Sequence, residues 1–235
     1  VTSSWWPLSG LRVRSGRIEL RLPGPAELDQ LADLAAAGIH DPEVMPFFTP
    51  WTDAPPDQRA RSVMQWHWRQ WAAWTPAAWN LEFAVIADGV VVGCQAIAAR
   101  EFATCREVST GSWLGRRFQR RGIGSQMRAA ALHLAFDGLG ALWATSGAFE
   151  DNLASLGVSR KLGYRDDGID IYPRRNSPAV LRRLRLDQAT WRARPPSPLP
   201  QITGLAACRH MFGLAAVGAD AQPEPASAPL PEAPG

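Results

Sequence analysis

Gln119-Arg120-Arg121-Gly122-Ile123-Gly124 has the clearest chemical content of any stretch in this 235-residue chain. Two glycines in a Q-x-x-G-x-G spacing, running on through Ser125 into a helical pattern, let backbone N–H groups close around an anion. The helix dipole favours negative charge at the same place. Arg116, Arg120 and Arg121 add cationic side chains to the loop. A plain tight turn uses the same residues, so the neighbours decide. An alternating segment ends in Ser112-Trp113-Leu114 just before the loop, and Asn152-Leu153-Ala154-Ser155 and Arg160-Lys161-Leu162-Gly163-Tyr164 follow it. A nucleotide P-loop would carry Lys-Ser/Thr, which is absent. A dinucleotide fingerprint would need a third glycine near position 127, which is Met127.

From Glu107 to Tyr164 this constellation resembles the GNAT superfamily of acyl-CoA N-acyltransferases. It is most similar to the RimJ/RimL-type branch, with its Trp-Leu, Gly-x-Gly, helix, Asn-x-x-Ser and Lys-Leu-Gly-aromatic pattern. Weaker similarity reaches back through residues 17–22 and 39–48. The resemblance implies acyl transfer from a CoA thioester to a primary amine by direct attack, with acetyl-CoA the default donor. It leaves succinyl-CoA open, because some relatives of this branch use it. It implies no metal, and an acceptor that is a small molecule or a protein amine.

The family pattern also implies roles. Backbone groups from Gln119 to Ser125, including those of Arg120, Arg121, Gly122, Ile123 and Gly124, would wrap the CoA pyrophosphate. The N–H near Leu114 would polarise the acyl carbonyl, Trp113 would wall the acyl and pantetheine pocket, and Asn152 would bond the pantetheine arm or simply cap a helix. Glu107 is the candidate general base, with Glu82 in competition and a surface ion pair as the bland alternative for Glu107. Many members carry a tyrosine acid seven residues after the asparagine; that position here is Ser159. The branch instead points to Ser155 as the partner of the leaving thiolate, and to Tyr164 as a packing aromatic.

These residues need elements to hold them. Residues 17–22 alternate like a half-buried strand, and Pro25 opens a helix to about Ala37 with Leu28, Leu31, Leu34 and Ala35 on one side. Residues 39–54, broken by Pro42, Pro46 and Pro50, read as an ordered loop; its acids and aromatics would either attract a cationic amine or pack on one another. A second helix runs from Pro55-Pro56 to about Trp74, and its Trp66, Trp68, Trp71 and Trp74 series suggests core or a homodimer face. Leu81–Ala87 and Val90–Ala99 flank Asp88-Gly89, a hairpin signal, and Glu107–Leu114 continues the meander. A helix after the glycine loop, a strand at 142–146, a helix to about Leu162 and strands near 164–172 and 179–186 complete the order. This predicts an α/β fold with a mixed, mostly antiparallel central sheet flanked by helices. The same order is implied by the family resemblance.

The expected organisation is an N-terminal extension (1–14), the acyltransferase domain (15–191), a linker with a short apolar segment (192–217) and a disordered Pro/Ala-rich tail (218–235). Cys94, Cys105 and Cys208 have neither disulfide nor zinc spacing, and Cys94 and Cys105 read as small buried thiols. With no membrane-length apolar run and no signal-peptide pattern at the start, a cytoplasmic location without membrane contact is the expectation. The +3 formal charge is almost all arginine, Lys161 being the only lysine, and this disfavours nucleic-acid binding unless the arginines share one face. Two rival readings remain: a non-catalytic acyl-CoA sensor, supported by the missing tyrosine, and an arginine-driven nucleic-acid module.

Overall fold

The computed structural model describes residues 3–194 and 199–215. Most of the linker prolines (Pro195, Pro196 and Pro198) and the tail expected at 218–235 lie outside the described residues. In chain order the elements are β1 (Arg12–Ser15), β2 (Ile18–Arg21), α1 (Pro25–Ala36), α2 (Pro56–Ala72), β3 (Ala78–Ala87) and β4 (Val90–Arg100). Then come α3 (Phe102–Cys105), β5 (Glu107–Leu114), α4 (Ile123–His133), β6 (Trp143–Phe149) and α5 (Leu153–Lys161). The chain closes with β7 (Arg165–Arg174), β8 (Ser177–Asp187), α6 (Gln188–Arg192), β9 (Gln201–Thr203) and α7 (Leu205–Cys208). The strands form one nine-stranded sheet in the order β7-β8-β6-β5-β4-β3-β2-β1-β9. Every neighbouring pair is antiparallel except β5 and β6. The expected mixed, mostly antiparallel sheet is the one found.

Local chemistry explains the elements. Asp88 and Gly89 both take positive φ (51° and 81°), which suits the twist of the β3–β4 hairpin. Pro25 starts α1, and the Glu27 carboxylate accepts the Gly24 N–H at 2.8 Å. The helices cover both faces. One face carries α4, α5 and a continuous core including Leu20, Phe83, Ile97, Val108, Met127, Leu156 and Leu184. The other carries α1 and α2 over a smaller cluster around Leu31, Leu34, Ala84, Val91 and Cys94.

The sheet runs past both ends of the 15–191 stretch. β1 pairs Arg12 with Arg21 on one side and with Thr203 of β9 on the other. Leu8, Leu11, Cys208 and Phe212 are buried in the main core. The apolar segment after 202 is docked on the tryptophan series: Trp74 donates to the Met211 carbonyl at 2.8 Å and packs edge-on against Phe212. Trp66 and Trp68 remain exposed. Cys105 is exposed on the short α3, contrary to the buried thiol expected, because that turn sits at the rim of the sheet.

Candidate active site

The site begins where two strands part. β5 and β6 run parallel only across Glu107–Trp143, Val108–Ala144 and Ser109–Thr145. Beyond Ser109, β5 continues on β4 alone, and beyond Thr145, β6 continues on β8 alone. The strands therefore open a wedge whose sides are Thr110–Leu114 and Ser146–Phe149.

At the wedge on the α4/α5 face stands the glycine loop. Arg120 (φ 60°) and Gly122 (φ 78°) both take left-handed conformations, and Gly122 is the N-cap of α4 with no side chain capping the helix. The first-turn N–H groups therefore have no side-chain acceptor, which is the arrangement that binds anions. Gly122 is needed for its backbone conformation. Gly124 is not forced by packing, since a Cβ there would meet Val158 and Leu114 at ordinary contact distances of 3.6 and 3.9 Å. Arg116, Arg120 and Arg121 are exposed beside the loop. The Gln119 side-chain amide donates to the carbonyls of Ile39 (2.6 Å) and Leu114 (2.9 Å) and latches the loop to the sheet.

Asn152 caps α5 through its Oδ1, which accepts the Ser155 N–H at 3.1 Å, while its NH2 group takes no part in that cap. Ser155 lies in the first turn of the same helix. Wholly buried Gln95, cross-strand partner of Ser112, donates to the carbonyls of Ala96 and Gly111 but has an unpartnered Oε1. An acceptor of that kind fits an amide N–H of a pantetheine arm.

The α1/α2 face differs. Trp113 points here and packs against Trp51 (6.1 Å between centroids), so it walls this side of the wedge. A groove of about 530 Å³ follows the sheet surface past the end of α2, lined by Gln70, Asn80, Ala98, Cys105, Glu107 and Ser109 among others. Glu107 is half-exposed and its carboxylate is taken by Arg185, which also bonds Asp167. Glu82 is 6% exposed and has no cationic partner among the described residues. It accepts instead from Trp66 Nε1 (2.8 Å), Asn80 Nδ2 (3.0 Å) and the Cys94 thiol (3.0 Å). Glu82, Ala96 and Gly111 lie in one cross-strand row, leaving small side chains between this carboxylate and the wedge. Burial pushes the nearby His67 below the ordinary histidine value, partly opposed by Glu82, so it is neutral at pH 7.

Loop 39–54 lies apart from that groove and folds on its own aromatics, bordering a smaller pocket with Pro56, Arg59 and Arg175. His40 bonds Thr52 at 2.7 Å, Phe47 packs against Trp51, and Phe48 reaches Phe149 and Tyr172. Arg175 pins it through Asp53 (2.6 Å) and the Pro42 carbonyl (2.7 Å). The three arginines of β8 each face an acid: Arg182 lies 4.0 Å from Glu150, Arg183 bonds Asp170, and Arg185 bonds Glu107 and Asp167. That leaves no open basic strip on β8. Among the described residues no group of histidine, cysteine and acidic side chains could hold a metal, and no helix is long and apolar enough to cross a membrane.

Two groups escaped sequence reasoning, the buried Gln95 of β4 and an arginine of α4. Arg128, on the buried face of α4, is 4% exposed and bonds serine hydroxyls on β5, β6 and α5. Burial lowers its pKa from the ordinary arginine value. The available signal was a charged residue within the apolar stripe of Met127, Ala130 and Ala131.

A sheet split by parting parallel strands, with an uncapped glycine-led helix at the split, agrees with the acyl-CoA-dependent acyltransferase class that the sequence motifs resemble. The chain belongs to the GNAT acetyltransferase family: the acetyltransferase (GNAT) domain matches residues 17–165. Members of that family are enzymes that use acetyl-CoA. Solved structures agree in fold. RimJ of Mycobacterium smegmatis, solved with a CoA disulfide, is 18% identical with a TM-score of 0.63, over 85% of this chain and 91% of that one. A GCN5-related N-acetyltransferase from Brucella melitensis is 22% identical with a TM-score of 0.62, over 77% and 80%. RimL, a ribosomal L7/L12 alpha-N-protein acetyltransferase solved with coenzyme A, is 18% identical with a TM-score of 0.57, over 74% and 95%.

Proposed function

We propose that this acetyltransferase-family enzyme is an acyl-CoA N-acyltransferase that holds its donor from the α4/α5 face and receives a primary amine from the α1/α2 face. The wedge between β5 and β6 carries this reading, because an anion-binding helix start stands beside it on one face and a groove reaches its closed end, at Ser109 and Thr145, on the other. The donor supplies an activated thioester carbonyl and a thiolate leaving group. The N–H groups of residues 122–125 bind its pyrophosphate, with Arg120 and Arg121 alongside. The free NH2 group of Asn152 and the Oε1 of Gln95 align the pantetheine amides. The backbone at Leu114 polarises the carbonyl.

Of the two carboxylates, Glu82 is the better-placed base. Three donors fix its orientation, it carries no ion pair among the described residues, and only Ala96 and Gly111 stand between it and the wedge, which leaves room for solvent to carry the amine proton to it. Glu107 serves the groove wall with Arg185. As the C–N bond forms and the C–S bond breaks, the electron pair leaves with sulfur, and the Ser155 hydroxyl donates to it. RimL acts on a protein N-terminus. A protein amine is accordingly the first acceptor class to test here, ahead of small amines.

Calorimetric titration with coenzyme A and acetyl-CoA tests the donor half. Micromolar binding is expected, lost in Gly124→Trp while the melting temperature is kept, because an indole at that position fills the loop between Val158 and Leu114. Undiminished affinity in the variant places the donor elsewhere and sinks the reading.

A further inference from the structure

Arg59 is a cation without a counter-charge, and it stands at the wall of a cavity. A guanidinium remains charged at any physiological pH and calls for an anion or for a full set of acceptors. In the first turn of α2, Arg59 has neither among the described residues. One terminal nitrogen donates to the Ala36 carbonyl at 2.8 Å, and the other makes only a long bond of 3.4 Å to the Thr52 carbonyl. The Nε is buried and unpartnered. Other arginines of this chain find carboxylates readily: Arg21, Arg174, Arg175, Arg183 and Arg185 all do.

The cavity measures about 250 Å³ and is walled by loop 39–54, the start of α2 and the turn between β7 and β8. The acceptor groove lies at the other end of α2, at Gln70 and Ala73, roughly 16 Å away at the rise of a helix. Three charged side chains line the cavity: Arg59, Arg175 and Asp53. Arg175 reaches it from a turn in which it and Asn176 both hold positive φ (46° and 64°), and it bonds Asp53 at 2.6 Å. Both ring nitrogens of His40 are engaged, by the Asp41 carbonyl and the Thr52 hydroxyl. Asp57, also in the first turn of α2, turns to Arg61 at 3.7 Å and is not part of the lining. The Asp53–Arg175 pair cancels, so the charge of Arg59 is left over. Pro56 brings the start of α2 into the wall with no side chain capping the helix, and its dipole adds to the positive field.

We propose that this cavity is a second ligand site, which binds a small phosphate-bearing molecule between Arg59 and Arg175. Guanidinium N–H groups pair with phosphate oxygens through short, charge-assisted bonds. Here they converge from two directions, from α2 and from the β7–β8 turn. A tetrahedral anion presents oxygens to both, whereas a planar carboxylate is served by one fork. An occupant would tie the loop to α2 and to β7–β8 at once. Two residues carry that bracing toward the wedge: the Ile39 carbonyl in the cavity wall takes the Gln119 amide, and Trp51, beside Thr52, packs on Trp113. The site is separate from the glycine loop and takes no part in the chemistry of acyl transfer.

Calorimetry with inorganic phosphate on the full chain tests this, at constant ionic strength and with coenzyme A present to occupy the glycine loop. Chloride and acetate serve as comparison anions. A dissociation constant of about 1 mM is expected for phosphate, the range of two or three charge-assisted hydrogen bonds, with both comparison anions about 10-fold weaker or more. Arg59→Met should weaken phosphate about 10- to 100-fold. Should that variant fail to fold, Ala54→Phe fills the cavity, keeps both arginines and should have the same effect. Asp53→Asn removes the one acid among the described lining residues and should tighten phosphate several-fold, which damage to the fold cannot do. Phosphate that binds no tighter than chloride or acetate overturns the proposal. So does an Asp53→Asn protein that binds it no tighter than the parent. A folded Arg59→Met or Ala54→Phe protein with the parent affinity would assign the phosphate to the glycine loop and overturn it as well.

Discussion

On the α4/α5 face the sheet lies under a continuous apolar core from Leu8 to Leu214, and the buried polar side chains Arg128, Ser146 and Ser159 gather beneath the wedge, His133 standing apart with Asp137 at the end of α4. On the α1/α2 face the apolar cluster is small, and polar side chains are spread through it: Glu82, His67, Asn80 and, at the rim, Glu107. On the proposed reading the first face would hold its ligand mainly with backbone, the second with side chains. A backbone site needs glycines and a helix start, which any family member can recognise in the same way. A side-chain site is rebuilt for each acceptor. The donor face is therefore where relatives should agree, and the acceptor face where this enzyme becomes particular.

The two faces meet at Gly93, and a substitution there should break both. A Cβ at Gly93 would stand 2.2 Å from the Trp113 carbonyl oxygen and 2.8 Å from Leu114 Cα, both backbone atoms that cannot swing away. Gly93→Ala must push β4 from β5 at the end of the wedge. A stability loss of about 3 kcal/mol is expected, at the upper end of ordinary overpacking, with donor affinity falling in parallel. A chemical-denaturation midpoint unchanged from the parent would show that β5 is not held as closely as the geometry implies.

The next largest effect separates the two carboxylates. Glu82→Gln should lower turnover about 100-fold at neutral pH, with donor affinity retained. Glu107→Gln should change it only a few-fold and should loosen Arg185. The reverse order would return the proton to the groove wall and make Glu82 a buried anchor for Trp66, Asn80 and Cys94. Steady-state kinetics of both variants with one donor and one amine decides between them.

Why the sequence revealed one face and not the other follows from the same contrast. The β3–β4 hairpin, α1, α4 and the glycine loop announce themselves within a dozen residues, by alternation, helical spacing or turn glycines. β1 and β9 do not. Arg12–Ser15 has a single apolar residue, and β9 is three residues long; each exists because Arg12 meets Thr203 across nearly the whole chain. The ion pair that quiets Glu107 joins residues 107 and 185, and nothing near either announces the other. Gln119 was legible as part of a motif, but its work is to tie Leu114 and Ile39 together. No local motif marks Arg128, because the serines that surround it come from three separate elements.

The smallest predicted effect concerns loop 39–54 on the acceptor face. The hydrogen bond from Arg175 holds the Asp53 carboxyl below the ordinary aspartate value. Because the folded value is the lower one, this contribution is fully present above the unfolded aspartate pKa of about 4. It is lost only as pH falls through the folded value. His67 behaves differently: its folded pKa is depressed by burial. The unfolded chain therefore takes up a proton first, and stability declines as pH drops below about 6.5. Between pH 7 and 5 the melting temperature should thus fall because of His67, while the loop stays pinned. Asp53→Asn should leave that slope unaltered and shift the melting temperature only slightly, since the pair is largely exposed. Its visible consequence should be a few-fold rise in the acceptor KM with the donor KM unmoved. A matching rise in both constants would mean that the loop serves the donor face as well, and that the division between the two faces is less complete than their chemistry suggests.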